Sequence, residues 1–214
     1  MNTELVFERY ETQLINWPDQ GNHILAQHNN ESVVVYQAYG PDIGKYVIEN
    51  GEFGGKFCYD RMTWIKTNFL WMMYRSGWGQ KKGQEFVFAI HLRRKFFDKV
   101  LRSAVSSIYT ESNFKNKNMW KNNLSKSPVR VQWDPDRNPD GTGVQRRAIQ
   151  LGLKGKIVKE YVHEGIIKIE DISKFVGDQY NKVRRRNYAS IMTPRETIYL
   201  PENDLSNYIN ISKK

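Results

Sequence analysis

Ser32-Val33-Val34-Val35-Tyr36-Gln37-Ala38-Tyr39-Gly40-Pro41-Asp42 is the stretch whose reading decides the fold. Its Val33 to Tyr36 run is β-branched and aromatic, which suits a strand buried on both faces, and Gly40-Pro41-Asp42 stops it. Ile43, Tyr46 and Val47 then recur at helical spacing until Asn50-Gly51 closes a short helix. The opening unit is therefore strand, turn, helix. Upstream, Phe7 to Ile24 reads as an arm with a turn at Trp17-Pro18-Asp19, and Asn29-Asn30 as the loop before the strand.

Downstream, Phe57 to Ile65 alternates as a second strand, and Thr67-Asn68 offers an N-cap to the all-apolar run Phe69 to Tyr74, which Ser76-Gly77 ends. A short helix apolar on all sides must be buried. Gln84 to Leu92 reads as a third strand, followed by a helix with Phe96, Phe97, Val100, Leu101 and Ala104 on one side. Thr110 to Pro128 has little periodicity and reads as a long loop. Val129 to Trp133 is a further strand, and a turn spanning Asp134-Pro135-Asp136 and Asn138-Pro139-Asp140-Gly141 leads into Arg146 to Leu153. Ile157 to Val162 is helical in pattern, Ile166 to Ile169 a strand, and Ile172 to Val183 a last amphipathic helix. The expected fold is α+β: a single domain over residues 1–200, a mixed sheet with flanking helices, and a loosely held tail from Pro201 to 214.

Charge is segregated along the chain. The 33 Lys and Arg outweigh 23 Asp and Glu for a net +10, but residues 1–60 carry −6, residues 61–160 carry +14 and the remainder +2. A basic block of that size attracts polyanions, so RNA or DNA is the natural partner; a solvated basic surface is the alternative. The longest wholly apolar run, Phe69 to Tyr74, is far short of the roughly 20 residues of a membrane span. The acidic start of the chain lacks the pattern of an export leader, and the single Cys58 cannot form an internal disulfide. No membrane partner and a cytoplasmic setting are expected. Cys58 itself, set among aromatics, reads as a small buried hydrophobe rather than a nucleophile.

Dinucleotide-binding, P-loop, zincin, CxxC and hydrolase-elbow motifs do not occur, and the four His at 23, 28, 91 and 163 have no metal-pair spacing, so no metal is expected. The dense segment is Asp60 to Trp78, where Arg61, Lys66 and Arg75 are interleaved with Trp64, Trp71, Tyr74 and Trp78. Cations bind phosphate while aromatic faces stack on rings, so the set suits a nucleotide cleft; core packing with the cations reaching outward is the alternative. Lys66 and Asn68 stand at a strand-to-helix junction, where free helix N–H groups favour anions. The second candidate is the 110–128 segment, where Lys115, Lys117, Lys121 and Lys126 alternate with Phe114, Met119 and Trp120, a mixture that can hold single-stranded nucleic acid or form a solvated lid. Arg184-Arg185-Arg186 reads as a surface charge run, and the adjacent Glu170-Asp171 pair points apart on either a helix or a strand.

The stretches Val34 to Tyr39, Arg61 to Trp78, Gln84-Glu85, Val131 to Asp136 and Arg147 to Leu153 resemble the domain of unknown function 4291 family over nearly the whole chain. That family implies relatives and no activity. The order of elements is also similar to ADP-ribosyltransferases, in particular the toxins that modify thymidine in single-stranded DNA. Lys66-Thr67-Asn68-Phe69 and Gln84-Glu85 stand in places comparable to those toxins' motifs, and Arg146-Arg147-Ala148-Ile149-Gln150 where their catalytic Glu follows an Arg pair. Gln150 departs from that Glu: it can hydrogen-bond an acceptor but cannot remove its proton. Gln37 stands where many transferases place His or Arg.

The resemblance implies a NAD-using transferase acting on RNA or DNA. Gln150, Glu85 and Gln37 are then the catalytic candidates. Tyr36, Gln37, Arg61, Trp64, Lys66, Asn68, Trp71 and Arg75 would bind NAD, and Lys115, Lys117, Trp120, Lys121, Arg146 and Arg147 nucleic acid. Two other expectations stand beside it: a basic nucleic-acid-binding module without chemistry, and another nucleotide-using enzyme that modifies RNA ends.

Overall fold

The computed structural model describes residues 4–109, 114–202 and 209–212. In chain order, β1 (Phe7–Arg9), α1 (Tyr10–Leu14), β2 (Gly21–Asn22) and β3 (Leu25–Ala26) form the arm. Next come β4 (Ser32–Tyr39), α2 (Pro41–Asn50), β5 (Thr63–Lys66), α3 (Phe69–Ser76), β6 (Phe86–Arg93) and α4 (Arg94–Arg102). They are followed by β7 (Ala104–Ser106), α5 (Lys117–Lys126), β8 (Val129–Arg137), β9 (Gly143–Leu153) and α6 (Lys156–Glu160), which continues as a π-helical turn over Tyr161–Gly165. The last elements are β10 (Ile166–Asp171), α7 (Ser173–Arg184), β11 (Met192–Pro194) and β12 (Thr197–Ile198).

The main sheet runs β10-β6-β4-β5-β9-β8-β7, with β2 added beside β9. It is mixed: β7 lies parallel to β8 and β2 to β9, and the other neighbours are antiparallel. Alternation along β4 sends Val33 and Val35 to one face and Val34 and Tyr36 to the other. The first face packs against α2, α4 and α6 through Phe88, Ile90, Phe97, Val100, Ile149, Leu151 and Val158. On the second, Phe69 and Met73 of α3 and Val176 of α7 join Val87 and Ala89. The chain is thus a single α+β domain with helices on both sides of a mixed sheet, and among the described residues no helix is long and apolar enough to cross a membrane.

The structure differs from the pattern of the sequence in several places. The expected Phe57 to Ile65 strand is shorter, starts later and runs one residue further, as Thr63–Lys66. Before it, Phe53 and Phe57 stack at 4.9 Å and are buried from within a turn, and Gly54 and Gly55 lie so close to the Tyr46 ring that a Cβ at either would clash. Burial of those rings needs anchors, and a strand is not required to supply them.

Asp134-Pro135-Asp136 is not part of the turn but lies inside β8, at an irregularity in its pairing with β9 where proline's missing N–H is tolerated. The turn proper is Asn138 to Thr142, with Gly141 at φ 87°. Within the expected long loop, Asn116 caps α5 by accepting from the Met119 N–H at 2.8 Å, while residues 110–113 lie outside the described residues. Cys58 is exposed rather than buried. Past Pro201, Ile209 is buried, its carbonyl accepts from Trp133 Nε1 at 2.7 Å, and the Ser212 N–H reaches the Asn22 carbonyl. The rest of the expected loose tail, 203–208 and 213–214, lies outside the described residues.

The start of α3 is closed by a distant residue. Asn68 occupies the N-cap position but its side chain makes no cap; the buried Glu196 carboxylate accepts the Phe69 N–H at 2.6 Å instead. Burial, reinforced by the nearby Asp136 charge, pushes the Glu196 carboxyl well above its usual range. Because the folded protein then holds a proton that the unfolded chain has released, this carboxyl's contribution is fully present below about pH 4.5 and is lost as pH rises through its raised pKa. Glu196→Gln, neutral at every pH and still an acceptor, is expected to remove that part of the decline. Urea unfolding at a series of pH values checks it; parallel pH profiles for the two proteins would refute the assignment.

Candidate functional site

The site forms where the sheet splits. β4 and β5 share one directly opposed pair, Tyr36 and Lys66, and then part. Side chains bridge the gap: Gln37 Nε2 donates to Thr63 Oγ1 and to the Trp64 carbonyl, both at 3.1 Å, and Gln37 Oε1 accepts from the Tyr161 hydroxyl at 2.7 Å. Tyr161 comes from the π-helical turn, so a local widening of the helix sets the orientation of a buried amide on the sheet. A cavity of about 540 Å³ opens at the split, lined among others by Gln37, Cys58, Arg61, Trp64, Lys66, Met72 and Arg75.

A second groove of about 400 Å³ shares Trp64, Lys66 and Arg75 with the first and adds Trp71, Gln132, Asp134 and Gln150. Its floor is a row of side chains set by strand register. Lys66 on β5 stands opposite Gln150 on β9, which stands opposite Gln132 on β8, and Asp134 follows two residues along on the same face. Gln150 Nε2 donates to Asp134 Oδ2 at 2.6 Å and Gln132 Nε2 to Asp134 Oδ1 at 3.3 Å. Gly152, opposite Trp64, leaves room for the indole: a Cβ there would stand 3.0 Å from its ring.

Two polar groups in this groove lack a protein partner. Lys66 is 7% exposed and makes no side-chain hydrogen bond or ion pair among the described residues. Burial, with the Arg75 charge adding to it and Asp134 opposing, lowers its ammonium pKa to about 8. Trp71 is 5% exposed and its Nε1–H is buried with no acceptor. The indole is held by stacking on Tyr74 at 5.5 Å, with the Arg137 guanidinium 3.9 Å above the Tyr74 ring. A cation without a counter-ion in a groove it shares with Arg75 favours an anionic ligand.

The sequence-predicted set therefore divides. Gln37, Arg61, Trp64, Lys66, Trp71, Arg75 and Gln150 come together around the two cavities. Tyr36 does not: it is fully buried under α3, edge-on to Phe69, with its hydroxyl unpartnered. Asn68 is also buried, bonding Thr67 and Asp136, and Glu196 takes up the Phe69 N–H, one of the helix N–H groups that the junction was expected to offer an anion. Glu85 lies outside both linings, accepting from the Gly83 N–H.

Among the residues expected to hold nucleic acid, Lys115, Lys117 and Lys121 are exposed on and before α5, and Trp120 is tethered to the Ser106 carbonyl. Arg147 is exposed but sits one residue out of phase with Gln150, on the other face of β9. Arg146 is buried. Its Nε donates to Asp136 at 2.8 Å, its Nη1 to the Pro18 carbonyl, and its guanidinium covers the Trp17 ring, so no surface remains for a phosphate.

Sequence reasoning missed Gln132 and Asp134, because Pro135 hid the continuation of β8; period-two spacing of Gln132 and Asp134 was the available signal. It also missed Tyr161 as the group that orients Gln37, for which no local signal exists. Among the described residues no three His, Cys, Asp or Glu side chains gather to hold a metal ion.

The molecule defined by these features is an α+β protein with a polar, partly cationic cleft where its mixed sheet splits. The profile of a domain of unknown function (DUF4291) matches residues 23–199, and the chain belongs to that family. None of the curated proteins compared with the chain matches it.

Proposed function

We propose that the protein is a NAD-using transferase that attaches ADP-ribose to RNA or single-stranded DNA, and that its split sheet is an ADP-ribosyltransferase-like core. The observation that carries this reading is Lys66, a largely buried lysine that has no protein partner among the described residues and lines both cavities together with Arg75. A pyrophosphate in the groove pairs with Lys66 and draws in the exposed Arg61 and Arg75 side chains. Trp64, which is only half-buried, offers a ring face for a nicotinamide, and the two volumes together suit a dinucleotide with room for part of an acceptor.

NAD is consumed as a substrate and supplies an activated ribosyl carbon. The residues of the chain bind the phosphates, exclude water and orient the acceptor, which is how most of the rate enhancement of such a transfer arises. The exposed lysines around α5 supply a basic surface for the nucleic acid.

Purified protein incubated with labelled NAD and a mixture of RNA and single-stranded DNA is expected to move label onto nucleic acid, and NAD is expected to raise its melting temperature. Absence of both label transfer and NAD binding refutes the reading. Salt-sensitive nucleic-acid binding without any response to NAD would instead identify a binding module, and stabilisation by ATP or GTP alone an enzyme of another nucleotide class.

A further inference from the structure

Gln150 cannot take a proton, yet the groove holds a group that can. We infer that Asp134 is the proton acceptor for the nucleophile in this transfer, and that Gln132 and Gln150 are positioning residues that hold its carboxylate in place. The inference rests on the transferase reading and deepens it.

Four observations support it. Asp134 lines the same groove as Lys66, which has no protein partner among the described residues. Each of its oxygens is held by one neutral amide, Gln150 at 2.6 Å and Gln132 at 3.3 Å, and no cation bonds it among the described residues. A carboxylate paired with a guanidinium has its oxygens taken up by a cation; one held by two neutral amides still offers a lone pair to a third partner. The contrast lies two residues along the same strand, where Asp136 is 2% exposed and is taken up by Arg146, Asn68 and the Arg137 N–H. The strand thus carries two carboxylates with different roles, one structural and one facing the groove.

The step balances without a further reactant. Asp134 takes the proton from an N–H or O–H of the acceptor, and the freed electron pair forms the bond to the ribosyl C1′. The C1′–N bond breaks, and its electrons leave with nicotinamide, which departs as a neutral amide. The strand register explains why an amide can stand at Gln150: the base has moved one strand over and two residues along, to β8.

The test compares the full-length parent protein with Asp134→Asn, Asp134→Glu and Gln150→Met, using NAD and mixed-sequence single-stranded DNA and RNA oligonucleotides. Asp134→Asn is expected to bind NAD within about threefold of the parent while transfer falls about 100-fold or more, the range of a lost general base. Its residual rate should climb steadily with pH, because the acceptor must then ionise unaided. Asp134→Glu should restore a measurable part of the transfer.

Gln150→Met is expected to lower transfer about five- to tenfold with NAD binding kept, and it serves as the decisive variant if Asp134→Asn does not fold. Transfer by Asp134→Asn within about threefold of an active parent overturns the assignment of the base while leaving the transferase reading intact. A parent protein that neither binds NAD nor transfers label overturns both.

Discussion

Replacing Arg146 by methionine is expected to lower the free energy of unfolding by about 3–5 kcal/mol, the usual cost of removing one member of a buried ion pair. Arg146 and Asp136 are 3% and 2% exposed and meet at 2.8 Å. Burial alone drives the Asp136 carboxyl above its ordinary range, and the Arg146 charge is the largest of the influences that hold it down. Without the guanidinium, the Asn68 amide and the Arg137 N–H remain, which is too little for a buried charge. The same change uncovers Trp17 and frees the Pro18 carbonyl, loosening the arm from β9. Urea unfolding measures the loss. The double replacement with Asp136→Leu is expected to recover most of it, since two apolar groups of suitable volume often replace a buried pair without loss. A loss below about 1 kcal/mol for the single change would place the pair among idle surface bridges and refute the account.

Lys66→Met is expected to act in opposite directions on binding and stability. The side chain is largely buried and has no protein partner among the described residues, so removing its charge should raise the melting temperature of the free protein. Affinity for NAD should fall about 10- to 150-fold, which corresponds to a lost hydrogen bond to a charged group of about 1.5–3 kcal/mol. Since burial lowers the lysine pKa to about 8, the parent's affinity is expected to decline as pH rises through that value and the ammonium loses its proton. Lys66→Arg, which stays charged, should bind without that decline. Calorimetric titration with NAD across the pH range checks all three. A methionine variant that is less stable and binds NAD as well as the parent would make Lys66 a structural residue.

Much of this molecule is legible from local pattern. β4 is bounded by Gly40-Pro41 and its valines and tyrosine alternate between two buried faces, and the helix after it ends on Gly51 in the left-handed conformation. β6, α3, α4 and α7 are legible because each places apolar residues in the core, and α3 also ends on Gly77 in the left-handed conformation. The site was partly legible for a related reason. Arg61, Lys66 and Arg75 among tryptophans signal cations kept beside apolar surface, and the chain places them so.

Where local pattern misled, a distant partner had taken over. Asn68 has the right identity and position for a cap, yet Glu196 delivers the oxygen from more than a hundred residues away. Arg146 reads as a surface cation until Asp136 and Trp17 close around it. Asp134 reads as a turn residue because it precedes proline, until pairing with β9 carries the strand through. Cys58 sits among aromatics in sequence, but Phe57 is buried and Tyr59 packs partly buried against it, while Cys58 stays exposed.

By itself the sequence determined the α+β class, the positions of most strands and helices, the basic middle of the chain and the cationic, aromatic segment within it. These depend on period, turn chemistry and composition, which act over a few residues. Tertiary structure alone decided which carboxylate faces the groove and which is buried in an ion pair, which oxygen caps α3, and that the sheet splits beside Lys66. Those outcomes depend on register between strands far apart in the chain, and a shift of one residue in that register turns every side chain to the opposite face.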